Sequence, residues 1–158
     1  MAIVFYMNRR SKFNVGKDKN DRTYNGIVFD SAVEMKYYRD VILPKTQSGE
    51  IIYFERQKKY ELQPSYIYQG KKIRPIDYKA DFYIEYKNGN VVVIDIKGCP
   101  DSVAKLKRKM FSYKYPSVDY QWVGYSKISG GWKTYEEIEA GRKQRKLAKA
   151  RKNKEIQG

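Results

Sequence analysis

Asp95 and Lys97 are the residues whose types and spacing first indicate chemistry. They end the apolar run VVVIDIKG, Val91 to Gly98. Side chains alternate between the two faces of a strand, so these two charges share one face. A second carboxylate, Asp81, stands in the preceding strand-like segment KADFYIEY. The alternative interpretation of Asp95 and Lys97 is an exposed strand end with an ordinary ion pair.

Whether the two carboxylates meet depends on the pairing of the two strands across Asn88-Gly89. A strict two-residue turn places Asp81 opposite Ile96 and facing away from Asp95. A three-residue loop, residues 88–90, places Asp81 opposite Lys97 and brings the charges to one face. Tyr83 then lies opposite Asp95. Three-residue loops with one left-handed residue are common in hairpins. We therefore predict an even register or a bulge, and a regular odd register would contradict the site.

Glu34 is the third candidate carboxylate. Tyr37, Tyr38 and Val41 follow it at helical spacing, so Glu34 lies on or beside the apolar face of a predicted helix. One interpretation is a capping box with Ser31, three residues earlier. The other is that a cation meets Glu34 in the folded protein, because an unpaired buried carboxylate is costly. The two interpretations are compatible.

These residue types suit metal-assisted hydrolysis of a phosphodiester. Asp81, Asp95 and the backbone carbonyl of Ile96 are the expected inner ligands, and Glu34 is a further carboxylate for the metal. The sequence has no His and a single cysteine, Cys99, which excludes His-based catalysis and an intramolecular disulfide. Oxygen ligands indicate Mg²⁺ or Mn²⁺. Lys97 would activate the attacking water or neutralise charge at phosphorus, and both roles remain open.

The charge of the chain indicates a polyanionic partner. It carries 33 Lys and Arg against 18 Asp and Glu, a net charge of +15, and residues 142–158 hold eight of the cations and one acid. A predicted helix at Ser102–Tyr115 contains cations and no acid, with a buried stripe expected at Val103, Leu106, Met110, Phe111 and Tyr113 or Lys114. A solvated helix face is the alternative. The predicted DNA-binding residues are Lys105, Lys107, Arg108, Lys109, Arg142, Lys143, Arg145 and Lys146.

Turn and cap signals predict the elements that position these residues. The predicted strands are Ile51–Leu62, Asp77–Lys87, Asn90–Lys97 and Val118–Tyr125, and a hairpin is expected at Asn25-Gly26. A helix is expected from Ser31 to about Leu43, where Pro44 kinks or ends it, and another begins at Thr134 with Glu137 in a capping box. Pro64–Lys72 is expected to be a connection and Gly130-Gly131 a break. This order predicts an α/β (α+β) fold, a mixed central sheet flanked by helices.

Three sequence blocks resemble the PD-(D/E)xK nuclease superfamily. They are FDSAVE (Phe29–Glu34), ADF (Ala80–Phe82) and VIDIKG (Val93–Gly98). The chain is similar, more closely, to small phage-encoded endonucleases of the Holliday-junction resolvase type and to phage junction-cleaving endonuclease I. The resemblance covers about residues 26–125. It departs from the pattern at Ala80, where the motif has proline, and at Asp95, where Glu is common.

The resemblance implies a restriction-endonuclease-like fold and four catalytic residues, Glu34, Asp81, Asp95 and Lys97. It also implies a Mg²⁺-dependent, structure-selective endonuclease that cuts branched DNA in recombination, as a homodimer. We expect a basic segment at 1–21, a nuclease core at 22–133 and a basic helix or tail at 134–158. The alternatives are a nicking, flap or restriction-type nuclease and a non-catalytic nucleic-acid-binding protein.

The sequence also predicts where the protein works. No apolar run is long enough to span a membrane, and the first ten residues lack the pattern of a signal peptide. A single cysteine fits a reducing compartment. We expect a cytoplasmic protein, which for a phage protein means the cytoplasm of the bacterial host.

Overall fold

The computed structural model describes residues 18–156, with side chains up to residue 153. These residues belong to two compact units that divide between Pro44 and Lys45. Residues 1–17 of the predicted basic segment 1–21 lie outside the described residues. Its last residues lead into a 3₁₀ turn at Asn20–Arg22.

The first unit contains the hairpin predicted at Asn25-Gly26. Strands β1 (Thr23–Tyr24) and β2 (Ile27–Val28) pair in antiparallel register around this two-residue turn. Asn25 and Gly26 have φ angles of 49° and 76°, the left-handed conformations that a type I′ turn requires. The hairpin prediction is therefore confirmed.

The helical segment after the hairpin is longer than predicted. Helix α1 (Ala32–Tyr37) continues as a π turn at Tyr38–Ile42 and then as α2 (Leu43–Gln47). Leu43 donates its N–H to the Tyr38 carbonyl, five residues back. The wider turn precedes Pro44, which has no N–H to donate. Pro44 therefore lies inside the helical segment, so the alternative that it ends the helix is wrong. The alternative that it disturbs the helix agrees with the π turn just before it.

The second unit is built on a five-stranded mixed sheet. Its strands are β3 (Ile51–Gln63), β6 (Ile76–Tyr86), β7 (Val91–Ile96), β8 (Asp119–Ser126) and β9 (Gly131–Thr134), and its helices are α3 (Ser102–Lys114) and α4 (Tyr135–Ile156). The strand order across the sheet is β3-β6-β7-β8-β9. Neighbouring strands are antiparallel except β7 and β8, which are parallel and are connected by helix α3. The predicted α+β class and mixed central sheet are confirmed.

Two short elements were not predicted. The connection after β3 contains a hairpin of its own, β4 (Tyr66–Tyr68) and β5 (Lys71–Ile73), which turns at Gln69-Gly70. The glycine pair at 130–131 does not simply break the chain, because Gly131 begins the edge strand β9. Both strands of the hairpin and β9 are only three or four residues long. Such lengths leave little periodicity to detect in a sequence.

Helix α3 packs on one side of the sheet through Phe111. This ring is fully buried in a cluster with Leu62, Tyr78, Ala80 and Val93 from three strands. Burying a phenylalanine side chain contributes about 1.5–3 kcal/mol. Val93 lies in this cluster, so Asp95, two residues further along β7, points toward the same side as α3.

The buried stripe predicted for α3 is confirmed at Phe111 and wrong at Val103, Leu106 and Tyr113. Val103, Leu106 and Tyr113 are 59%, 58% and 91% exposed. Of the apolar residues predicted to be inside, Phe111 is buried and Met110 is half-buried. The long side chains of Lys107 and Arg108 also cover the sheet side of the helix, with aliphatic stems that pack while their charged ends find polar partners.

Helix α4 begins with the predicted capping box. Glu137 donates its backbone N–H to Thr134 Oγ1 at 3.2 Å, and the Thr134 N–H donates to Glu137 Oε2 at 2.8 Å. These hydrogen bonds to the carboxylate lower the pKa of Glu137 from its usual range. The start of the basic helix is thereby fixed beside β9.

Candidate active site where two central strands diverge

The loop between β6 and β7 sets the pairing of the candidate residues. Tyr86 donates its N–H to the Asn90 carbonyl at 2.9 Å, and Gly89 donates to the Tyr86 carbonyl at 2.9 Å. The loop therefore has three residues, 87–89, and Gly89 has the left-handed φ of 86°. A three-residue loop was predicted, but it lies one position earlier than residues 88–90.

This loop produces an even register, as predicted. Phe82 pairs with Ile94 and Tyr83 pairs with Val93. The specific expectation that Tyr83 lies opposite Asp95 and Asp81 opposite Lys97 is wrong, because the loop is shifted by one residue. The observed pairing ends before Asp81 and Asp95, which stand on the neighbouring strands β6 and β7. Burial raises the pKa of the Tyr78 hydroxyl, and both carboxylates lie close enough to it for their charges to raise that pKa further.

Asp81 ends the pairing of the two strands. The last paired residues are Phe82 and Ile94. A continued ladder would bond the Ile96 N–H to the backbone of Ala80, but Asp81 Oδ2 accepts this N–H instead, at 2.6 Å. A strand residue directs its N–H and C=O toward the same neighbouring strand. The Ile96 carbonyl therefore points toward β6, the strand that carries the Asp81 carboxylate.

Asp95 is a buried carboxylate with two identified polar partners. The residue is 3% exposed. Its Oδ2 lies 2.9 Å from Lys97 Nζ and accepts a longer hydrogen bond, 3.4 Å, from the Tyr120 hydroxyl. That hydroxyl in turn accepts the indole N–H of Trp122 at 2.8 Å. The chain Trp122–Tyr120–Asp95 fixes the orientation of the carboxylate.

Two tyrosine hydroxyls near Asp95 remain protonated at neutral pH. Burial raises the pKa of Tyr120 and of Tyr78, and the negative charge of Asp95 raises both further. The Tyr78 hydroxyl is buried without a hydrogen bond of regular geometry, although Tyr120 is close enough to affect its pKa. A phenol held protonated beside a carboxylate serves as a donor and not as a base.

Gly124 allows the strand β8 to approach Lys97. The Lys97 N–H donates to the Val123 carbonyl at 2.8 Å. A Cβ at Gly124 would lie 2.9 Å from the Lys97 carbonyl oxygen and 3.1 Å from Ile138 Cδ1. The lack of a side chain at this position therefore sets the backbone position of Lys97 against both β8 and α4.

The donor chemistry fits Mg²⁺ or Mn²⁺. Asp81, Asp95 and the Ile96 carbonyl offer oxygen alone, the ligand that these hard cations take. Among the described residues of this unit, no third acidic or cysteine side chain completes a metal-binding group with the pair. The pair and the Ile96 carbonyl are therefore the oxygen donors that this unit offers at the candidate site.

Glu34 belongs to the first unit and caps helix α1. Ser31 Oγ accepts the Glu34 N–H at 3.2 Å, and the Ser31 hydroxyl donates to Glu34 Oε1 at 2.8 Å. The residue is 8% exposed. The capping interpretation is confirmed, with the Ser31 hydroxyl rather than its backbone N–H as the donor to the carboxylate. The predicted metal role of Glu34 stays a prediction.

The predicted DNA-binding cations of α3 divide into two pairs. Lys107 Nζ donates to the Asp77 carbonyl at 2.8 Å, and Arg108 pairs with Glu136 at 2.6 Å. Lys105 and Lys109 are exposed. The first pair holds α3 in place, and the second pair presents its charge to solvent.

On α4 the predicted DNA-binding residues Arg142, Lys143, Arg145 and Lys146 are all exposed. Arg142 pairs with Glu139, one turn earlier. The basic residues of α4 therefore line a long helix and present their charge to solvent.

Sequence reasoning missed three residues of strand β8 that support the site. Tyr120, Trp122 and Gly124 alternate along VDYQWVGY and so share one face. Trp122 lies beside Asp95 in the parallel pairing of β7 with β8. The alternation was visible in the sequence, but it identifies neighbours of Asp95 only once the partner strand and register are known.

The chain belongs to the family described as "Protein of unknown function (DUF1064)", whose model matches residues 10–130. The matched range contains the candidate residues Glu34, Asp81, Asp95 and Lys97. A search of curated proteins found no match. Among the described residues, none of the helices has the length and apolar character needed to cross a bilayer.

Proposed function

We propose that this protein is a Mg²⁺-dependent DNA endonuclease that hydrolyses phosphodiester bonds in branched DNA. The observation that carries the proposal is the geometry at the end of β7. Asp81 is anchored on the N–H of Ile96, the residue after the buried Asp95, and Asp95 is paired with Lys97. The sheet thus concentrates two carboxylates and an ammonium where its central strands separate.

Each residue has a defined part in the proposed hydrolysis. Asp81, Asp95 and the Ile96 carbonyl would hold the metal. The bound ion supplies a Lewis acid for the phosphoryl oxygen and lowers the pKa of a bound water. Lys97, whose side chain is 28% exposed and whose ammonium is held by Asp95, neutralises charge that develops on the phosphate. Water oxygen bonds to phosphorus and the bond to the 3′ oxygen breaks, leaving a 5′-phosphate and a 3′-hydroxyl.

The buried tyrosines support the carboxylate and do not take part in proton transfer. Tyr120 donates to Asp95 Oδ2 and is itself oriented by Trp122. Because burial and the charge of Asp95 raise its pKa, Tyr120 keeps its proton through the reaction. We assign it a positioning role.

Branched DNA as the substrate, and a homodimer as the active form, rest on the resemblance to junction-cleaving nucleases. Symmetric cutting of a four-way junction requires two active sites, which a two-fold symmetric dimer provides. The exposed cations of α3 and α4 would contact phosphates on either side of the cut. These contacts make binding strongly dependent on salt.

A non-catalytic nucleic-acid-binding protein is the second candidate. It is favoured by one observation, the 2.9 Å ion pair in which Asp95 and Lys97 compensate each other. In that case the basic surface binds DNA and the carboxylates only stabilise the sheet. A nuclease of the same chemistry that acts on nicks, flaps or linear duplexes is the third.

A cleavage assay separates these functions. The protein is incubated with an end-labelled four-way junction and with a linear duplex of matched sequence, each with Mg²⁺ or with a chelator. We expect paired cuts in the junction alone, lost with the chelator. Metal-dependent cutting of both substrates would support the nuclease function but exclude selectivity for junctions. Binding without cutting, in Mg²⁺ and in Mn²⁺, would leave the non-catalytic candidate.

A further inference from the structure

A pocket of about 540 Å³ lies within the second unit, between α3, β8 and α4. Its volume falls in the range of roughly 300–1,000 Å³ that is typical of small-molecule sites. Tyr120 and Trp122 belong to its lining. Because the Tyr120 hydroxyl also donates to Asp95, a single side chain separates the pocket from the candidate metal site.

Flat side chains surround this pocket. The Arg108 guanidinium lies 4.4 Å from the centre of the Trp122 ring. The half-buried Tyr135 ring meets the same indole edge-on, with 5.8 Å between centroids. Trp122 itself is only 2% exposed, so the flat surfaces open to a ligand are the Arg108 guanidinium and the Tyr135 ring, with the indole directly behind them. Aromatic rings and guanidinium planes are the surfaces on which unpaired nucleobases stack.

The charges of the pocket lie on two different helices. Lys105 and Lys109, one turn apart on α3, are exposed at one wall, and Glu136 and Glu139, also about one turn apart, line the α4 wall. These two carboxylates pair with Arg108 and Arg142 but remain 58% and 45% exposed, so each still has an oxygen that can accept a further hydrogen bond. A nucleotide would meet both kinds of charge favourably in one orientation. Its phosphates would lie toward the lysines, and amino groups on the base edge would donate to the carboxylates.

We infer that this pocket binds one unpaired nucleobase of the DNA substrate, next to the phosphate that is cut. This inference rests on the proposed function and deepens it, because the pocket supplies a reason for branched DNA to be preferred. A base in a regular duplex must be unstacked before it can enter, whereas an unpaired base at a branch enters at a lower cost. Bases with an exocyclic amino group bind more tightly than thymine, which has none to donate to Glu136 or Glu139.

The test uses the full chain with Trp132→Phe, which leaves Trp122 as the sole tryptophan. The fluorescence of Trp122 is measured, in the presence of a chelator, as a single strand of about eight nucleotides is added. The strands are oligo(dC), oligo(dT) and a fully abasic strand. The three strands carry equal phosphate charge. We expect strong quenching by oligo(dC), weaker quenching by oligo(dT) and little by the abasic strand.

Two variants identify the pocket as the source of the signal. Tyr135→Ala should weaken oligo(dC) binding about 5- to 150-fold, the usual effect of removing one stacking side chain. Tyr113→Ala is the matched control, because Tyr113 is 91% exposed on α3 and does not line the pocket. This control should bind oligo(dC) as the parent does.

Equal quenching by the oligo(dC) and abasic strands, or equal effects of the two tyrosine variants, would overturn the inference. The assay contains no metal and measures no cleavage, so its result is independent of the nuclease test. If the protein cuts junctions but shows none of these binding differences, the pocket inference is wrong and the proposed function stands. If it binds oligo(dC) through Tyr135 but never cuts DNA, the pocket inference stands and the nuclease function is wrong.

Discussion

Asp95 illustrates how a single buried carboxylate can be stable and still be available for chemistry. Burying an ionised carboxylate is costly unless partners compensate its charge. Here Lys97 supplies the opposite charge and Tyr120 supplies a hydrogen bond. The strand ends immediately afterwards, and the side chain of Lys97 is 28% exposed. The compensating group is therefore accessible to a phosphate, whereas the carboxylate itself is shielded from bulk water.

The contribution of the Tyr120 hydroxyl to stability is tested by the variant Tyr120→Phe. The change removes the donor to Asp95 and leaves the Trp122 indole N–H without its acceptor. An unsatisfied buried donor costs about 1–3 kcal/mol, so we expect the free energy of unfolding to fall by that amount. Urea denaturation measures it. Tyr125→Phe, on the exposed part of the same strand, should change stability by less than about 0.5 kcal/mol. Equal effects would show that Tyr120 has no special role.

At the scale of elements, strand β8 supports the site from one side. It pairs in parallel with β7, and its small residue Gly124 lets the Lys97 backbone and helix α4 approach together. Strand β6 supports the site from the other side, because Asp81 replaces a backbone partner of Ile96. The Asp81 carboxylate is thus held by the backbone of β7, and the Lys97 backbone is held by that of β8.

Gly124→Ala tests the support from β8. The new Cβ would lie too close to the Lys97 carbonyl oxygen, so the backbone must move. We expect a loss of about 1–3 kcal/mol in stability and, because catalytic geometry is sensitive to displacements of about 1 Å, a loss of about 100-fold in cleavage.

Gly141→Ala is the control for that variant. Gly141 lies inside α4, and the nearest atom to its Cβ is 3.2 Å away, at the end of the flexible Arg145 side chain. This substitution should raise helix stability by about 0.5–1 kcal/mol and leave cleavage unchanged. The stability of the Gly124→Ala and Gly141→Ala variants is measured by thermal unfolding, and their cleavage rates by single-turnover assays. Unchanged cleavage in folded Gly124→Ala would contradict the positioning role.

The elements also show how far the sequence predicted the site. The turn at Asn25-Gly26 and the caps at Ser31 and Thr134 depend on neighbouring residues, and they were predicted correctly. The hairpin loop before Asp95 was predicted to have three residues, but Asn88-Gly89 fits a loop at 87–89 as well as one at 88–90. The hydrogen bond from Tyr86 to Asn90 selects the first. That choice removed the expected pairing of Asp81 with Lys97, and the Asp81 carboxylate accepts the Ile96 N–H instead.

Helix α3 shows a second limit of sequence reasoning. Its apolar spacing favoured an inward stripe that contains Leu106, which is 58% exposed. Of that stripe, tertiary packing buries Phe111, and the neighbouring Lys107 and Arg108 are half-buried beside it. A pattern of apolar residues does not represent the aliphatic part of a cation, so this face was not visible beforehand.

At the scale of the whole molecule, the net charge of +15 favours association with a polyanion. The predicted contacts on α4 are tested by changing Lys143, Arg145 and Lys146 together to Gln. If each contacts one phosphate, the slope of log K against log salt should become about 3 units less steep. Fluorescence anisotropy with labelled duplex DNA at several salt concentrations measures the slope.

The matched control for the α4 variant removes the same number of charges elsewhere. Lys71, Lys72 and Arg74 lie on or beside the separate hairpin β4–β5 and are exposed. Changing these three to Gln should alter the slope less than the α4 variant does. The same change of slope in both variants would mean that only net charge matters, which would contradict α4 as a contact surface.

The central claim, that Asp95 belongs to a metal-dependent active site, is tested most directly by Asp95→Asn. Binding and cutting of a four-way junction are measured in the same Mg²⁺ reactions, beside the wild type and Asp119→Asn. Asp119 is an exposed acid on β8, so its variant carries the same change of charge. We expect all three proteins to bind, the wild type and Asp119→Asn to cut, and Asp95→Asn to cut at least about 100-fold more slowly. Cutting by Asp95→Asn at the wild-type rate would contradict the account.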